Sequence, residues 1–342
     1  MTSVDDDATH ATHATHATHA THPTHPTHPT HPTHPTHPTQ EPERRLVWHP
    51  LLREFVAQTP GRMHHREDTT DCPFCDDLAS GRVAPGTRAW IRPNDFPALA
   101  PPLGECFILV YSADHDRSFS DLRPEEVVPV IGLWQELYAR LAPRYACVMT
   151  WETSGAVIGQ TQRHPHGQTY AVSELPPLLA RELESVAQAR EAGDGCLFCR
   201  ILAEEEAHGA RIVAAGQHWL AFVPPYARYP YKTHIYARPH LSDVGALARE
   251  GAAVWELAAL LPRLIRVYHQ IFAGPMPYML AVHQLADERF HLHLELLPVG
   301  RAPGKLKLAA SSETAWGFWL NDALPEAAAA QLRMLYSEDN ET

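Results

Sequence analysis

His164-Pro165-His166-Gly167-Gln168 is answered 127 residues later by His291-Leu292-His293-Leu294-Glu295. The echo extends upstream. Cys72-Pro73-Phe74-Cys75 returns as Cys196-Leu197-Phe198-Cys199 at an offset of 124. His115 follows the apolar run 107–111 and returns as His240 after Ile235-Tyr236-Ala237, at an offset of 125. Three features that keep one offset to within three residues mean that the chain carries the same unit twice.

Each unit reads as short strands followed by a helix. In the first, Ser120 and Asp121 precede Val127, Ile131, Trp134, Tyr138 and Leu141 at helical spacing. In the second, Ser242 and Asp243 precede Leu247, Trp255, Leu261, Leu264 and Tyr268. Strands at 147–152 and 168–172 are joined by a loop containing glycine, which favours antiparallel pairing with helices on one face. The expected fold class is α+β: two pseudo-repeated halves, residues 41–193 and 194–342, sharing one sheet. Residues 1–40 stand apart. Ten of the 24 histidines recur there at every third position from His10 to His37, in Ala-Thr-His and then Pro-Thr-His units. A period of three matches no helix or strand face, so a disordered tail is expected, one that binds transition metals incidentally.

The net charge of −12 argues against a nucleic-acid or anionic-membrane partner. Without an 18-residue apolar run or a signal-peptide core, a cytoplasmic protein is expected. In that compartment two Cys-x-x-Cys pairs suggest metal ligands over disulfides. Cys106 and Cys147 lie in apolar runs and read as core residues. Zinc takes four thiolate or imidazole ligands, and Cys72, Cys75, His115 and His164 supply such a set, leaving no position open for water. By the repeat, Cys196, Cys199, His240 and His291 form a second closed zinc site.

On a strand, His164, His166 and Gln168 share one face. His164 then binds the metal, His166 faces a substrate, and Gln168 offers an amide N–H beyond it. Gly167 is expected to let the backbone approach a bulky anion without a Cβ in the way.

His164-Pro165-His166-Gly167-Gln168, preceded by Gly159 and Thr161, resembles the active-site signature of galactose-1-phosphate uridylyltransferases, a branch of the histidine-triad superfamily. Three further segments are similar to that family: Pro93-Asn94-Asp95-Phe96-Pro97-Ala98-Leu99, Ala113-Asp114-His115, and Leu306-Lys307-Leu308 with Glu313-Thr314. The resemblance runs from about Val47 to Leu335. It implies that His166 is a nucleophile that takes a uridylyl group from UDP-glucose and passes it to galactose 1-phosphate, giving UDP-galactose. It further implies substrate contacts from Arg62, Asn94, Asp95, Thr161, Gln168, Lys307 and Glu313, and a homodimer. It also offers another metal set, Glu182, His283, His293 and Glu295, which shares no residue with the second hook.

The chain departs from the family pattern at Thr153, where Asn is common, at Arg163, and at His64-His65 beside Arg62. Arg163 is open to two expectations, a phosphate contact or a solvent-facing side chain. Glu295 stands where Gln168 does in the first half, and a carboxylate there would repel a phosphoryl group. Leu294 stands where Gly167 does and is expected to crowd one. His293 is therefore not expected to be a second nucleophile. The alternatives are a related phosphorylase or transferase using another base or sugar, and a non-enzymatic zinc-binding module.

Overall fold

The computed structural model describes residues 44–60, 71–247 and 251–339. The His-rich tail and Arg62 lie outside the described residues. A hairpin of β1 (Arg45–His49) and β2 (Glu54–Gln58) comes first, then α1 (Pro73–Ala79), which carries Cys75 and starts just after Cys72. The first half continues as β3 (Trp90–Pro93), β4 (Gly104–Val110), α2 (Pro124–Leu141), β5 (Cys147–Ser154), β6 (His166–Val172) and α3 (Pro177–Glu191). The second runs α4 (Leu197–His208), β7 (Ile212–Ala215), β8 (Trp219–Phe222), β9 (Thr233–Ala237), α5 (Val244–Leu247), α6 (Gly251–Ile271), β10 (Tyr278–His283) and β11 (His293–Pro298). A small pair, β12 (Gly300–Ala302) and β13 (Lys305–Leu306), precedes α7 (Ser311–Trp316) and α8 (Pro325–Glu338).

Nine strands form one antiparallel sheet in the order β3-β4-β6-β5-β10-β11-β9-β8-β7. Read outward from the β5–β10 seam, the first half gives β5-β6-β4-β3 and the second gives β10-β11-β9-β8, with β7 added at the edge. The repeat in the sequence is thus a repeat in the sheet. Because side chains alternate along each strand, the sheet has two faces of different character.

On one face lie Leu109, Val148, Ala171, Leu280, Leu294, Leu296 and Ile235, packed against α2 and α6. The sequence of α2 explains its place. Pro124 opens it, the Glu126 carboxylate accepts from the Arg123 N–H at the N-cap (3.0 Å), and Val127, Ile131, Trp134, Leu137, Tyr138 and Leu141 are buried along one stripe. α6 buries Val254, Leu257, Leu261, Leu264 and Tyr268. Trp255, expected on that stripe, is 50% exposed, one position out of phase. The other face, expected to be bare of helices, carries α3 and α4. Leu179, Val186, Phe198 and Leu202 pack there against Cys106, Cys147, Tyr170, Leu220 and Phe222. The strands on that side present Cys106, Tyr170 and Phe222, apolar surface that would otherwise face water, and α3 and α4 cover it.

Candidate active site and metal centres

The second face also holds the chemistry. Cys72 caps α1 and Cys75 sits in its first turn; His115 follows β4 and His164 precedes β6. His164 Nδ1 lies 3.6 Å from the sulfurs of both Cys72 and Cys75, and His115 Nδ1 lies 3.4 Å from Cys75 Sγ. Metal–sulfur and metal–nitrogen bonds of about 2.3 and 2.05 Å in a tetrahedron put S and N about 3.6 Å apart. The His164 Nε2–H donates to the Ser112 carbonyl at 2.7 Å, which leaves Nδ1 as the free lone pair. Burial and the adjacent Cys72 push the Cys75 thiol up to about 11, so two neighbouring thiolates here call for a cation. The donor set fits a tetrahedral metal.

The second hook repeats this geometry. Cys199 Sγ lies 3.4 Å from His240 Nδ1 and 3.6 Å from His291 Nδ1. The opposite ring nitrogens donate to the Glu288 and Ala237 carbonyls, at 2.8 and 2.7 Å. Cys196, Cys199, His240 and His291 together form a four-donor group that could hold a metal ion.

Glu182, His283, His293 and Glu295 form a third group of the same kind. Its chemistry differs, for Lys232 Nζ lies 2.7 Å and His234 Nε2 3.0 Å from Glu295 Oε1. His283 faces Glu182 through Nδ1 at 3.1 Å and Glu295 through Nε2 at 3.6 Å. Burial opposes the charge on Glu295, but His234, His283 and Lys232 outweigh it and hold the carboxyl well below its ordinary range. Burial likewise opposes a charge on His283, yet Glu182 and Glu295 raise its pKa. Two carboxylates face a lysine and an imidazole that favours its proton, so the group already holds balancing positive charge.

His166 opens β6, two residues after His164. Its Nδ1–H donates to the His164 carbonyl at 2.9 Å, leaving Nε2 with its lone pair. Burial holds the ring below the ordinary histidine value, which keeps it neutral at pH 7. Phe74, from inside the first hook, packs on His166 with ring centroids 5.1 Å apart. Gln168 shares the face, and Tyr170 donates its hydroxyl to Gln168 Oε1 at 3.2 Å, which leaves the amide N–H groups for another partner. His166 is partly buried; its counterpart His293 is 1% exposed, closed in by His234, His283, Tyr236 and Phe198.

Two expectations need correction. A Cβ on Gly167 would sit 1.9 Å from the Tyr111 hydroxyl, on the face opposite His166. Gly167 is small to admit Tyr111, not an anion. Leu294, its counterpart, packs in the main core and crowds no substrate. His293 is set apart by burial and by Glu295. The candidate substrate contacts are spread more widely. Asn94 Oδ1 accepts from the Phe96 N–H at 2.9 Å, and Asp95 pairs with Arg92 at 2.7 Å. Thr161 is partly buried in the loop leading to β6, and Arg163 is exposed. Lys307 pairs with Glu313 at 3.2 Å and is itself buried.

A model of the galactose-1-phosphate uridyl transferase N-terminal domain matches residues 87–176, which include His115 and the segment 164–168. A galactose-1-phosphate uridylyltransferase of Streptomyces lividans is 34% identical over 80% of this chain and 81% of its own. The chain belongs to the galactose-1-phosphate uridylyltransferase family. A Thermotoga maritima member is 28% identical over 84% of this chain and 97% of its own. A solved uridylyltransferase structure superposes with a TM-score of 0.78 at 27% identity, covering 87% of this chain and 99% of that one. An Arabidopsis thaliana ADP-glucose phosphorylase shares the fold, with a TM-score of 0.67 at 20% identity.

Within this family member, sequence reasoning missed Lys232, His234, Glu152 and Tyr111. The signal for the first two was the polar run Lys232-Thr233-His234 leading into a strand that is otherwise apolar. Glu152 was visible as a carboxylate in phase with Val148 and Thr150, on the core side of β5.

Proposed function

We infer that this chain is a UDP-glucose–hexose-1-phosphate uridylyltransferase that works through a uridylyl group carried on His166. The observation that carries this reading is the hydrogen bond from His166 Nδ1 to the His164 carbonyl, which leaves a neutral, partly accessible Nε2 beside the Gln168 amide, held at its oxygen by Tyr170 with its N–H groups left to donate. Nε2 attacks the α-phosphorus of UDP-glucose; the P–N bond forms as the P–O bond to glucose 1-phosphate breaks. The leaving phosphate monoester has a second pKa of about 6 and departs as a dianion without a strong general acid. A phosphate oxygen of galactose 1-phosphate then attacks the same phosphorus and the P–N bond breaks. Nδ1 keeps its proton throughout, so the ring needs no external base. Gln168 donates to the phosphoryl oxygens as charge builds on them.

Zinc is the ion we assign to both Cys₂His₂ sets, where it would hold structure; each set is closed by four protein donors, and neither supplies a water to the reaction. The first also fixes His164, and through its carbonyl the orientation of His166. We assign no ion to the Glu182–His283–His293–Glu295 group, where Lys232 and a protonated His283 together offset the two carboxylates. The remaining proposals are substrate contacts by Asn94, Asp95, Thr161, Lys307 and Glu313, and a homodimer. Trp48, Leu51 and Leu52 of the first hairpin and Trp316, Phe318 and Leu324 near the C-terminus are exposed, which supports a second copy as their cover. Sedimentation at micromolar concentration tests that point. Among the described residues no helix is long and apolar enough to cross a membrane.

Turnover with a panel of UDP-, ADP- and GDP-linked sugars, each paired with galactose 1-phosphate, tests the substrate assignment. UDP-galactose formed from UDP-glucose is the expected product. Faster transfer from an ADP- or GDP-linked sugar would replace the uridylyl reading while keeping His166 as nucleophile.

A further inference from the structure

Behind the nucleophile strand, on the face away from His166, lies a buried polar cluster that the transfer chemistry does not use. Glu152 on β5 stands directly opposite Gly167 on β6 in the ladder, and its other neighbour across the β5–β10 seam is Leu280. Glu152 is 4% exposed. The Tyr278 hydroxyl, from the second half, donates to Glu152 Oε1 at 2.7 Å. Among the described residues, Glu152 Oε2, the Tyr111 hydroxyl and the Trp134 indole N–H from α2 are buried without a close hydrogen-bond partner, the indole N–H lying nearest the Tyr111 oxygen. Tyr111 is the residue pressed against Gly167, and its backbone N–H also donates to the Pro165 carbonyl at 2.9 Å. Glu152, Tyr111 and Tyr278 thus close on the peptide 165–167 from behind, with one carboxyl spanning the two halves.

We propose that Glu152 is a positioning residue for His166: a neutral carboxyl that links the two halves through Tyr278 and supports, through Tyr111, the backbone from which His166 projects. Taking on a negative charge there disturbs that support. The proposal rests on His166 as the reacting group, but it does not depend on which substrate is used.

A neutral Glu152 can donate as well as accept, so its carboxyl and the Tyr111 hydroxyl can partner each other, directly or through one buried water, without a net charge in the cluster. An ionised Glu152 would be an uncompensated charge. The groups facing it are Tyr278 from β10, Tyr111 after β4, Trp134 from α2, and the Thr150–Thr169 hydroxyl pair of β5 and β6 at 2.9 Å, none of them charged at neutral pH. Burial raises the Glu152 pKa from 4.5 to about 8, against the opposing effect of the Tyr278 hydrogen bond. The folded chain therefore holds a proton that the unfolded chain has released. The linked stability is fully present below about 4.5 and is lost as pH rises through about 8.

The test uses the full chain and two readouts that need no substrate. Infrared difference spectra between wild type and Glu152→Gln should show a protonated-carboxyl band at pH 7 that disappears with a midpoint near 8. A His166 ring signal in NMR, assigned by its loss in His166→Asn, should shift with the same midpoint in wild type and stay fixed in Glu152→Gln. Tyr278→Phe removes a bond that favours the carboxylate, so it should move both midpoints upward together. In the transfer assay, kcat should fall above the midpoint in wild type but not in Glu152→Gln, with KM little changed. No protonated-carboxyl band at pH 7 would overturn the neutral state. A band whose titration leaves the His166 signal unmoved would overturn the positioning role. A chain inactive on every nucleotide sugar would count against the proposed function alone, since both spectroscopic readouts would still decide this proposal.

Discussion

Gly167→Ala separates two reasons for a glycine beside the nucleophile. The added Cβ would lie 1.9 Å from the Tyr111 hydroxyl oxygen, 2.7 Å from Tyr111 Cζ and 2.9 Å from the Trp151 carbonyl oxygen. Tyr111 is 1% exposed and has no room to retreat. Overpacking of this kind typically costs about 1–3 kcal/mol, and three contacts, one of them to backbone, put this case at about 3 kcal/mol. Tyr111→Phe removes the first contact but leaves the other two, so the double variant should recover about 1 kcal/mol of the loss. Urea unfolding followed by circular dichroism, with the midpoints of all four proteins compared, measures the coupling. The transfer rate should fall in Gly167→Ala because the strand bearing His166 is displaced, with partial recovery in the double variant. Unchanged stability in Gly167→Ala, combined with a raised KM that Tyr111→Phe does not relieve, would refute the packing argument and restore the view that the glycine makes room for an anion.

The metal and charge assignments give two further expectations. Cys196→Ser should lower the full chain's zinc content by one relative to wild type, a difference unaffected by the histidine tail, and should destabilise the fold, since a structural zinc contributes folding free energy directly. An equal zinc content by atomic emission would remove the second site. Lys232→Met strips Glu295 of its nearest cation at 2.7 Å and should cost about 3–5 kcal/mol in a thermal or urea melt, unless a divalent ion takes the vacated role. Added zinc should then rescue the variant's stability and leave wild type unchanged. Rescue of neither, or an equal gain in both, would count against the lysine as the balancing charge.

The two hooks, the doubled sheet and the face shared by His164, His166 and Gln168 were legible because repetition and strand alternation are properties of spacing alone. The register His166↔Val110 and Gln168↔Ile108 keeps that face intact across β4. Legibility ended where partners come from distant chain segments. Gly167 looks like a ligand-side glycine until Tyr111, 56 positions earlier, is seen behind it. Lys232 gives no hint that it will meet Glu295, because that contact arises only when β9 pairs with β11. Helices on the second face were missed for a similar reason: α3 and α4 bury sparse stripes such as Leu179 and Val186, which only the exposed strands of the sheet make necessary.

The central claim is that His166 carries the transferred group. Incubation of the full chain with UDP-glucose alone, without galactose 1-phosphate, tests it most directly. Glucose 1-phosphate should appear in a burst of about one equivalent per site, with peptide mass spectrometry finding an acid-labile uridylyl group on His166. Galactose 1-phosphate should then discharge the label into UDP-galactose, and His166→Asn should show no burst while retaining its zinc. Release of glucose 1-phosphate only when both substrates are present, or a label that forms equally well in His166→Asn, would contradict the account.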